Sequence, residues 1–343
     1  MMKHRFLSLV VVILLISSPI FTAAQKEQPY QQDNAITVYA YDSFVSEWGP
    51  GPAVIAGFEQ STGIKVHLVS VGNASELLRR AQLERNNPRA DIILGIPNGS
   101  LGQMRDSGLF EAYVPRAMNE IFPFLHIDPD NVFIPFNYGV FSFIYDSDHI
   151  DTPPVSMQDL LDPTWKKSII LMDPRTSSVG MGLLEWSYAV YGENYISWWT
   201  ALKPNILTIA DSWSSGYGLF TQGEAPIVIS YTTSPVYHIM AEDTDRYVST
   251  AFEEGNALVI EGVGMLTSSK NKDGAKAFIE YLLTDAQSTI AVANVMYPAN
   301  MTTELPPAFD VIAQPKKLLS IDFEILVKNQ DRWLTEWVEA MSR

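Results

Sequence analysis

Short apolar β-type runs alternate with helical segments through most of this chain, and this alternation constrains the fold more than any other feature. Residues 35–40, 65–71 and 91–94 have the composition of strands, whereas residues 53–61 and 75–85 have helical spacing. A strand followed by a helix and a further strand normally forms a right-handed crossover within a parallel sheet. The pattern therefore predicts an α/β fold with a doubly wound sheet.

A long apolar and aromatic run at 132–145 contains a proline and a glycine, which is typical of a strand that leaves one sheet and enters another. A second series follows, with strands predicted at 168–172, 206–209 and 227–231 and helices at 181–191 and 217–222. The run 258–266 resembles a return crossing, since the amphipathic helix predicted at 272–283 would rejoin the first sheet. Residues 322–341 predict one or two packing helices. Two lobes joined by two crossings form a hinged clamp, and such sheets bind ligands at the carboxyl ends of their strands.

The N-terminus has the pattern of an export signal. Basic residues at the start precede an apolar run over 6–16 and small residues at 22–24. This arrangement predicts a signal peptide over residues 1–24 that is cleaved before residue 25. An uncleaved membrane anchor is the alternative, but the run is shorter than the ~20 apolar residues that span a bilayer.

The sequence contains no cysteine. This excludes a disulfide framework, a thiolate metal site, a cysteine nucleophile and a lipid-modified anchor at the cleavage point. An exported binding protein without such an anchor fits the space between two membranes best, so we expect a periplasmic location.

The net charge of the chain limits which ligands and partners it can bind. The chain has 39 acidic and 23 basic residues, which gives a formal net charge of −16 at pH 7. Nucleic acids and anionic lipids are repelled by a field of this sign. We therefore expect no nucleic-acid partner and a cationic or neutral small ligand.

Four predicted loops lie where a cleft between the lobes would be. In the first, Tyr41 follows the first strand, and the glycine-rich run 48–52 leads into a helix. Glycines allow a close approach of the backbone to a ligand, although an ordinary βα turn with a buried tyrosine explains the pattern equally well. In the second, Ser177 and Ser178 lie between a strand and a helix, where hydroxyls and free backbone N–H groups bind polar groups or anions.

The third and fourth segments, 213–217 and 230–238, interleave aromatic and hydroxyl side chains. A flat heteroaromatic ligand needs rings to stack on and short polar groups to read its edge, and a cationic one gains a further cation–π attraction. A core position is the alternative for these aromatic residues, and it is the preferred one for Tyr217.

Signals of metal binding and catalysis are weak. His67, His126, His149 and His238 lack the spacing of metal ligands. No nucleophile elbow, phosphate-binding loop or zinc-protease motif is present, and no pair of carboxylates stands out as acid and base. We therefore predict a protein that is not an enzyme and needs neither a metal nor a cofactor.

Taken together, the segments resemble the periplasmic thiamine-binding proteins of bacterial thiamine ABC importers, within the extracellular solute-binding proteins. The resemblance spans nearly the whole exported chain. It rests on five blocks in order: TVYAYDSFVSEWGPGP (37–52), DPRTSSVGMGLL (173–184), WSSGYGLF (213–220), SYTTSPVYH (230–238) and MYP (296–298).

The resemblance implies a two-lobed periplasmic-binding-protein (type II) fold, in which two doubly wound sheets are joined by two hinge crossings. The N-terminal lobe would comprise 25–135 and 262–320, and the C-terminal lobe 136–261 and 321–343. The implied ligand contacts are Tyr41, Asn73, Ala74, Ser177, Ser178, Trp213, Tyr231, Thr232, Thr233, Ser234 and Tyr237.

In this family the rings would hold the pyrimidine of thiamine, while hydroxyls and helix N-termini would receive the phosphate of phosphorylated forms. The chain departs from the family pattern at two positions. Asn73 stands where a well-known member has aspartate, and Val295 where it has tryptophan. The preferred form stays open between thiamine, its monophosphate, its diphosphate and the pyrimidine fragment.

The leading hypothesis is thus a monomeric periplasmic subunit that captures thiamine or its phosphates and delivers it to a membrane permease. One alternative is a ferric-ion binder of the same fold that uses Tyr231 and Tyr237 as phenolate ligands. Another is a binder of polyamines or other organic cations. A thiamine-processing enzyme is a weaker hypothesis, because thiamine-degrading enzymes of similar fold attack with a cysteine.

Overall fold

The computed structural model describes residues 34–342, so the predicted signal peptide at 1–24 lies outside the described part. The strands are β1 (Ala35–Ala40), β2 (Lys65–Ser70), β3 (Ile92–Pro97), β4 (Phe110–Glu111), β5 (Ile134–Asp146), β6 (Ile169–Met172), β7 (Ile206–Ala210), β8 (Ile227–Tyr231), β9 (Tyr247–Ser249), β10 (Asn256–Leu266), β11 (Tyr297–Pro298) and β12 (Leu318–Leu319). The α-helices are α1 (Asp42–Val45), α2 (Gly51–Thr62), α3 (Ala74–Leu83), α4 (Leu101–Ser107), α5 (Ser178–Tyr191), α6 (Tyr195–Leu202), α7 (Trp213–Thr221), α8 (Pro235–Ala241), α9 (Lys272–Leu283), α10 (Gln287–Asn294) and α11 (Phe323–Ser342).

The strands are hydrogen-bonded in the order β2-β1-β3-β10-β5-β8-β6-β7. At one end β1 is parallel to β2 and β3, and at the other β6 is parallel to β7 and β8. The two strands between these parallel groups, β10 and β5, are antiparallel to each other. Two doubly wound sheets therefore meet at a central antiparallel pair.

The central pair contains both crossings that the sequence predicts. Strand β5 pairs with β10 through residues 134–140 and then with β8 through residues 141–145. In the return direction, Ala257 and Val259 of β10 pack in the second core, whereas Val263 and Met265 pack in the first. The predictions of a strand that changes sheets and of a return crossing are confirmed.

Each sheet has its own apolar core. In the first, Phe58 and Phe278 pack edge to face with ring centroids 5.1 Å apart. In the second, Trp199 packs against Trp337 of α11 with centroids 5.7 Å apart. The lobe boundaries drawn from the sequence stay a prediction.

The structure decides two expectations, one about the C-terminal helices and one about residues 213–217. Residues 323–342 form one helix, α11, rather than two. The prediction of a loop at 213–217 is wrong, because α7 already begins at Trp213. Its start is fixed by Ser212, whose side-chain oxygen accepts a hydrogen bond from the Ser215 N–H at 3.1 Å. Within residues 34–342, no helix combines the length and the apolar character that crossing a membrane requires.

Candidate functional site

A cavity of about 350 Å³ lies between the two cores. Segments that directly follow the carboxyl ends of β1, β2, β6, β7 and β8 all contribute to its lining. Strands of a doubly wound sheet end on the same edge, so the topology itself gathers these segments into one place.

The cavity collects most of the residues that the sequence singled out. The residues that line it are Tyr41, Asn73, Ala74, Ser177, Ser178, Trp213, Tyr231, Ser234 and Tyr237. Thr232 and Thr233 are fully buried behind this lining. The Thr232 N–H donates to the Val140 carbonyl at 2.8 Å, so its backbone connects the Tyr231 segment to the crossing strand.

The aromatic side chains of the cavity are held by ring packing. Tyr231 stacks on Phe141 with centroids 5.3 Å apart, and Trp213 stacks on Tyr217 at 5.1 Å. The Trp213 Nε1–H also donates to the Ser230 hydroxyl at 2.8 Å. Both rings are therefore positioned before a ligand arrives. Tyr217 combines the two roles considered for it, because it packs in the second core and also borders the cavity.

Tyr41 depends on a glycine in the neighbouring strand. Gly95 of β3 has φ +97°, and a Cβ at this position would lie 2.2 Å from Tyr41 Cε1. Any larger residue would be strained in the backbone and would also push the tyrosine ring out of place. Sequence reasoning did not identify Gly95, although a glycine inside an apolar strand marks a close approach of another group.

One end of the cavity, which we call the hinge end, is formed by Tyr41, Tyr231 and Glu261. Glu261 lies on the crossing strand β10, and its carboxylate accepts hydrogen bonds from the Tyr41 hydroxyl at 2.9 Å and from Asn137 Nδ2 at 2.8 Å. Burial raises the pKa of Glu261 from 4.5 to about 7, and the two hydrogen bonds oppose this rise. Burial likewise raises the pKa of Tyr231 well above its ordinary value, with a further contribution from Glu261.

The opposite end, which we call the helix end, is formed by the first residues of α3, α5 and α7. Asn73 precedes α3, and Ser177 caps α5 by accepting from the Val179 N–H at 3.2 Å. Helix N-termini carry partial positive charge and unpaired N–H groups, so three of them together favour anionic or strongly polar groups.

The two walls of the cavity contact each other at several places. Asn73 Nδ2 donates to the Asp211 carbonyl at 3.4 Å, the Ser75 hydroxyl donates to the Thr176 carbonyl, and the rings of Trp48 and Trp213 lie 6.5 Å apart. These contacts join residues of the first core's side to residues of the second core's side. The structure therefore represents a closed arrangement of the two walls.

The segment that includes Val295 provides another contact of this kind. Its φ of +51° is rare for a branched residue, and its carbonyl accepts a hydrogen bond from the Thr233 hydroxyl at 2.5 Å. Thr233 therefore positions the wall of the cavity without lining it. The sequence analysis named both Thr233 and Val295, but it did not predict the hydrogen bond between them.

Three carboxylates line the cavity, those of Asp42, Glu242 and Glu261, whereas the lining taken from residues 34–342 contains no lysine or arginine. Arg175, close to the cavity in the chain, pairs with Asp173 through Nη2 at 2.5 Å. Sequence reasoning missed Glu242 and Glu261, and it included Asp42 in the first cleft loop without giving it a role. An acidic residue within the apolar strand 256–266 was the available signal for Glu261.

Among residues 34–342, His238 is the one histidine that lines the cavity, and it is 1% exposed. Its ring nitrogens hydrogen-bond to the Tyr217 hydroxyl at 2.9 Å and to Glu242 at 2.6 Å. No group of three or more His, Cys, Asp or Glu side chains within residues 34–342 is arranged to hold a metal ion. His238 thus has a structural role here.

Comparison with known proteins agrees with this architecture. A thiamine-binding periplasmic protein of Brucella abortus is 39% identical over 334 residues, which are 97% of this chain and 99% of that protein. The thiamine-binding periplasmic protein of Escherichia coli K12 is 35% identical over 342 residues, covering 97% of this chain and 98% of the relative. A solved structure described as a periplasmic thiamin binding protein matches with a TM-score of 0.86 at 36% identity, over 90% of this chain and 96% of that one.

These matches confirm the two-lobed type II fold and the resemblance found in the sequence. Residues 87–329 match the family model of the bacterial extracellular solute-binding proteins. The chain therefore belongs to that family.

Proposed function

We propose that this chain is the periplasmic substrate-binding subunit of an ABC importer and that it captures thiamine or its phosphates. The observation that carries this proposal is a closed cavity with aromatic walls and carboxylates but no lysine or arginine in its lining from the described residues. Thiamine has a flat aminopyrimidine, a cationic thiazolium ring and a hydroxyethyl arm. Relatives named as thiamine-binding periplasmic proteins support the choice.

The rings of thiamine belong at the hinge end. Tyr231 lies at this end, and Trp213 of α7 reaches it through the bond of its indole N–H to Ser230, the residue before Tyr231. Both rings offer faces for stacking, and these faces attract a cationic ring by about 1–2 kcal/mol when water is excluded. The carboxylates of the cavity attract the same charge. A neutral or anionic aromatic ligand would lose both terms.

The hydroxyethyl arm and any phosphate on it belong at the helix end. Ser177, Ser178 and Asn73 offer hydroxyl, amide and backbone N–H donors there. Since residues 34–342 contribute no basic side chain to the lining of this end, hydrogen bonds and helix dipoles would hold a phosphate there.

Closure couples capture to transport. We assign residues 25–135 and 262–320 to one lobe and residues 136–261 and 321–343 to the other, with β5 and β10 as the hinge. A ligand touches both walls only when the lobes are shut, so binding shifts the population toward the closed form. The permease would recognise that form of the monomer.

Iron binding is less well supported. A ferric site on Tyr231 would need further ligands, and no group of three or more His, Cys, Asp or Glu side chains within residues 34–342 is arranged to hold a metal ion. Tyr237 lies at the rim with 45% exposure. Catalysis is also disfavoured, since the relatives carry the names of binding proteins and the sequence lacks a cysteine nucleophile.

The test is a titration of the chain from residue 25 onward, followed by tryptophan fluorescence. Trp213 lines the cavity and Trp48 stands at its rim, so we expect a saturable change with thiamine below micromolar concentrations. Ferric citrate and spermidine serve as control ligands. A response to either control, together with no response to any form of thiamine, would contradict the proposal.

A further inference from the structure

Glu261 occupies the point where the two crossing strands are irregular. It pairs with Asn137 of β5 and with Pro97 of β3, and the register shifts directly after Glu261 on one side and after Gly262 on the other. Its side chain lines the cavity while the residue is only 9% exposed. A carboxyl group is thus built into the hinge and aimed at the ligand space.

The partners of this carboxyl group leave part of it available. The Tyr41 hydroxyl and Asn137 Nδ2 both donate to Oε2. Among the hydrogen bonds found within residues 34–342, none reaches Oε1. The Tyr41 hydroxyl in turn accepts a hydrogen bond from Asn294 Nδ2 at 2.9 Å. Oε2 of Glu261 is therefore held from two sides, by the Tyr41 segment and by Asn137 of β5.

Within residues 34–342, no positive side chain in the cavity lining balances Glu261. From the walls it is faced by the hydroxyls of Tyr41 and Tyr231, whose pKa values burial raises, and by neutral amides. The other charged groups of the lining are Asp42 and Glu242, both acidic, and His238 is bonded to Glu242. The raised pKa of Glu261, about 7, follows from this setting.

We propose that Glu261 determines specificity for a permanently cationic ring, and that it exchanges its own proton for that cation when the ligand binds. The Oε–H bond of the carboxyl group breaks, the proton passes to solvent, and the carboxylate stays paired with the ligand's positive charge. No oxidation or reduction takes place. The inference rests on the proposed function and adds a residue and a proton balance to it.

Two consequences follow by linkage. Affinity for the cation rises with pH below neutrality, by up to about tenfold per pH unit, and levels off once Glu261 is ionised in the free protein. A neutral ligand of the same shape shows no such rise, because its binding does not favour the ionised carboxyl group.

Calorimetry tests this with wild type, Glu261→Gln and Glu185→Gln. Glu185 is the matched control: burial also raises its pKa to about 7, but it accepts from Gln330 Nε2 and does not line the cavity. Each protein is titrated at pH 6 and pH 8.5, in buffers of different ionisation enthalpy. The ligands are thiamine and its uncharged thiophene analogue, which carries the same aminopyrimidine and so corrects for titration of that ring.

We expect wild type and Glu185→Gln to release close to one proton per thiamine at pH 6 and almost none at pH 8.5. Glu261→Gln should release none, and should bind thiamine about 10- to 100-fold more weakly at pH 8.5, the loss typical of a bond to a charged group. Wild type should release no proton on binding the analogue, which tests the inference even if the Glu261 variant fails to fold. Thiamine binding without proton release, or release lost equally in Glu185→Gln, overturns the inference alone. Absence of thiamine binding by wild type overturns the proposed function as well.

Discussion

The two ends of the cavity recognise a ligand by different means. At the hinge end, recognition depends on side chains that are anchored in the core. The Tyr231 ring is fixed by stacking, and Glu261 is fixed by two hydrogen bonds. At the helix end, the backbone provides the donors through the starts of α3, α5 and α7. Core-anchored rings select shape and charge, whereas helix N-termini accept many polar groups. The hinge end should therefore decide affinity for the ring system, and the helix end the tolerance for its substituents.

The substitution Gly95→Ala should give the largest loss of recognition at the hinge end. The new methyl group would displace Tyr41 from the hinge end, and we expect the affinity for thiamine to fall by about 3 kcal/mol. Fluorescence titration measures the loss, and circular dichroism reports folding. Gly223→Ala is the control, because Gly223 also has a positive φ, +82°, but a Cβ there meets nothing within 4 Å. Equal effects of both substitutions would show that backbone strain, not Tyr41, is responsible.

Removal of a stacking ring tests the same end more gently. Tyr231→Ala should weaken thiamine binding by about 1–3 kcal/mol through lost aromatic contact. Tyr237→Ala removes an identical side chain from the exposed rim, and should cost less than about 1 kcal/mol. Titration of both variants compares them directly, and a larger loss at position 237 would shift recognition away from the hinge end.

Stability against pH reports on Glu261 without any ligand. Because burial raises its pKa from 4.5 to about 7, the folded state holds the proton more tightly than the unfolded state. Its contribution is complete below pH 4.5 and is lost as the pH rises through 7. Between pH 5.5 and 8 the free energy of unfolding should fall by about 2 kcal/mol on this account.

Urea unfolding of wild type and Glu261→Gln measures that fall, which the substitution should remove. Glu185, with its pKa also raised to about 7, should contribute a separate fall of similar size. An identical pH dependence in wild type and Glu261→Gln would show that the carboxyl group is not titrating as described.

The smallest effect is expected at the helix end. Ser178→Ala removes a hydroxyl from the cavity, and should cost the phosphorylated forms of thiamine about 1 kcal/mol while affecting free thiamine less. Ser212→Ala is the control, since Ser212 caps α7 but does not line the cavity. Competition between thiamine and its monophosphate measures the ratio. An equal loss for both ligands would mean that this end does not distinguish substituents.

Local patterns predicted the elements well because local chemistry determines them. Strands β1 and β8 and helix α9 have the predicted bounds, and the run at 132–145 was identified by its length and its aromatic content. The start of α7 was missed, because three serines near Trp213 are equally typical of a loop until the capping bond of Ser212 is known.

Only those residues of the site that belong to local sequence motifs could be predicted from the sequence. Residues after strand ends, such as Tyr41 and Tyr231, were found because topology brings strand ends together. Glu261 and Gly95 were not, because their roles come from neighbours far away in the chain: Tyr41 for both, and Asn137 for Glu261. Spacing along one strand contains no record of such contacts.

The central claim is that a flat cation is held between rings from both walls, with its charge toward the hinge end, and a crystal structure of the chain with thiamine tests it most directly. We predict the ring system of thiamine between Tyr41, Tyr231 and Trp213, with its positive charge toward Glu261 and its hydroxyethyl arm toward Ser177 and Ser178. Thiamine bound outside this cavity, or bound in it with its charged ring turned away from Glu261, would contradict the account.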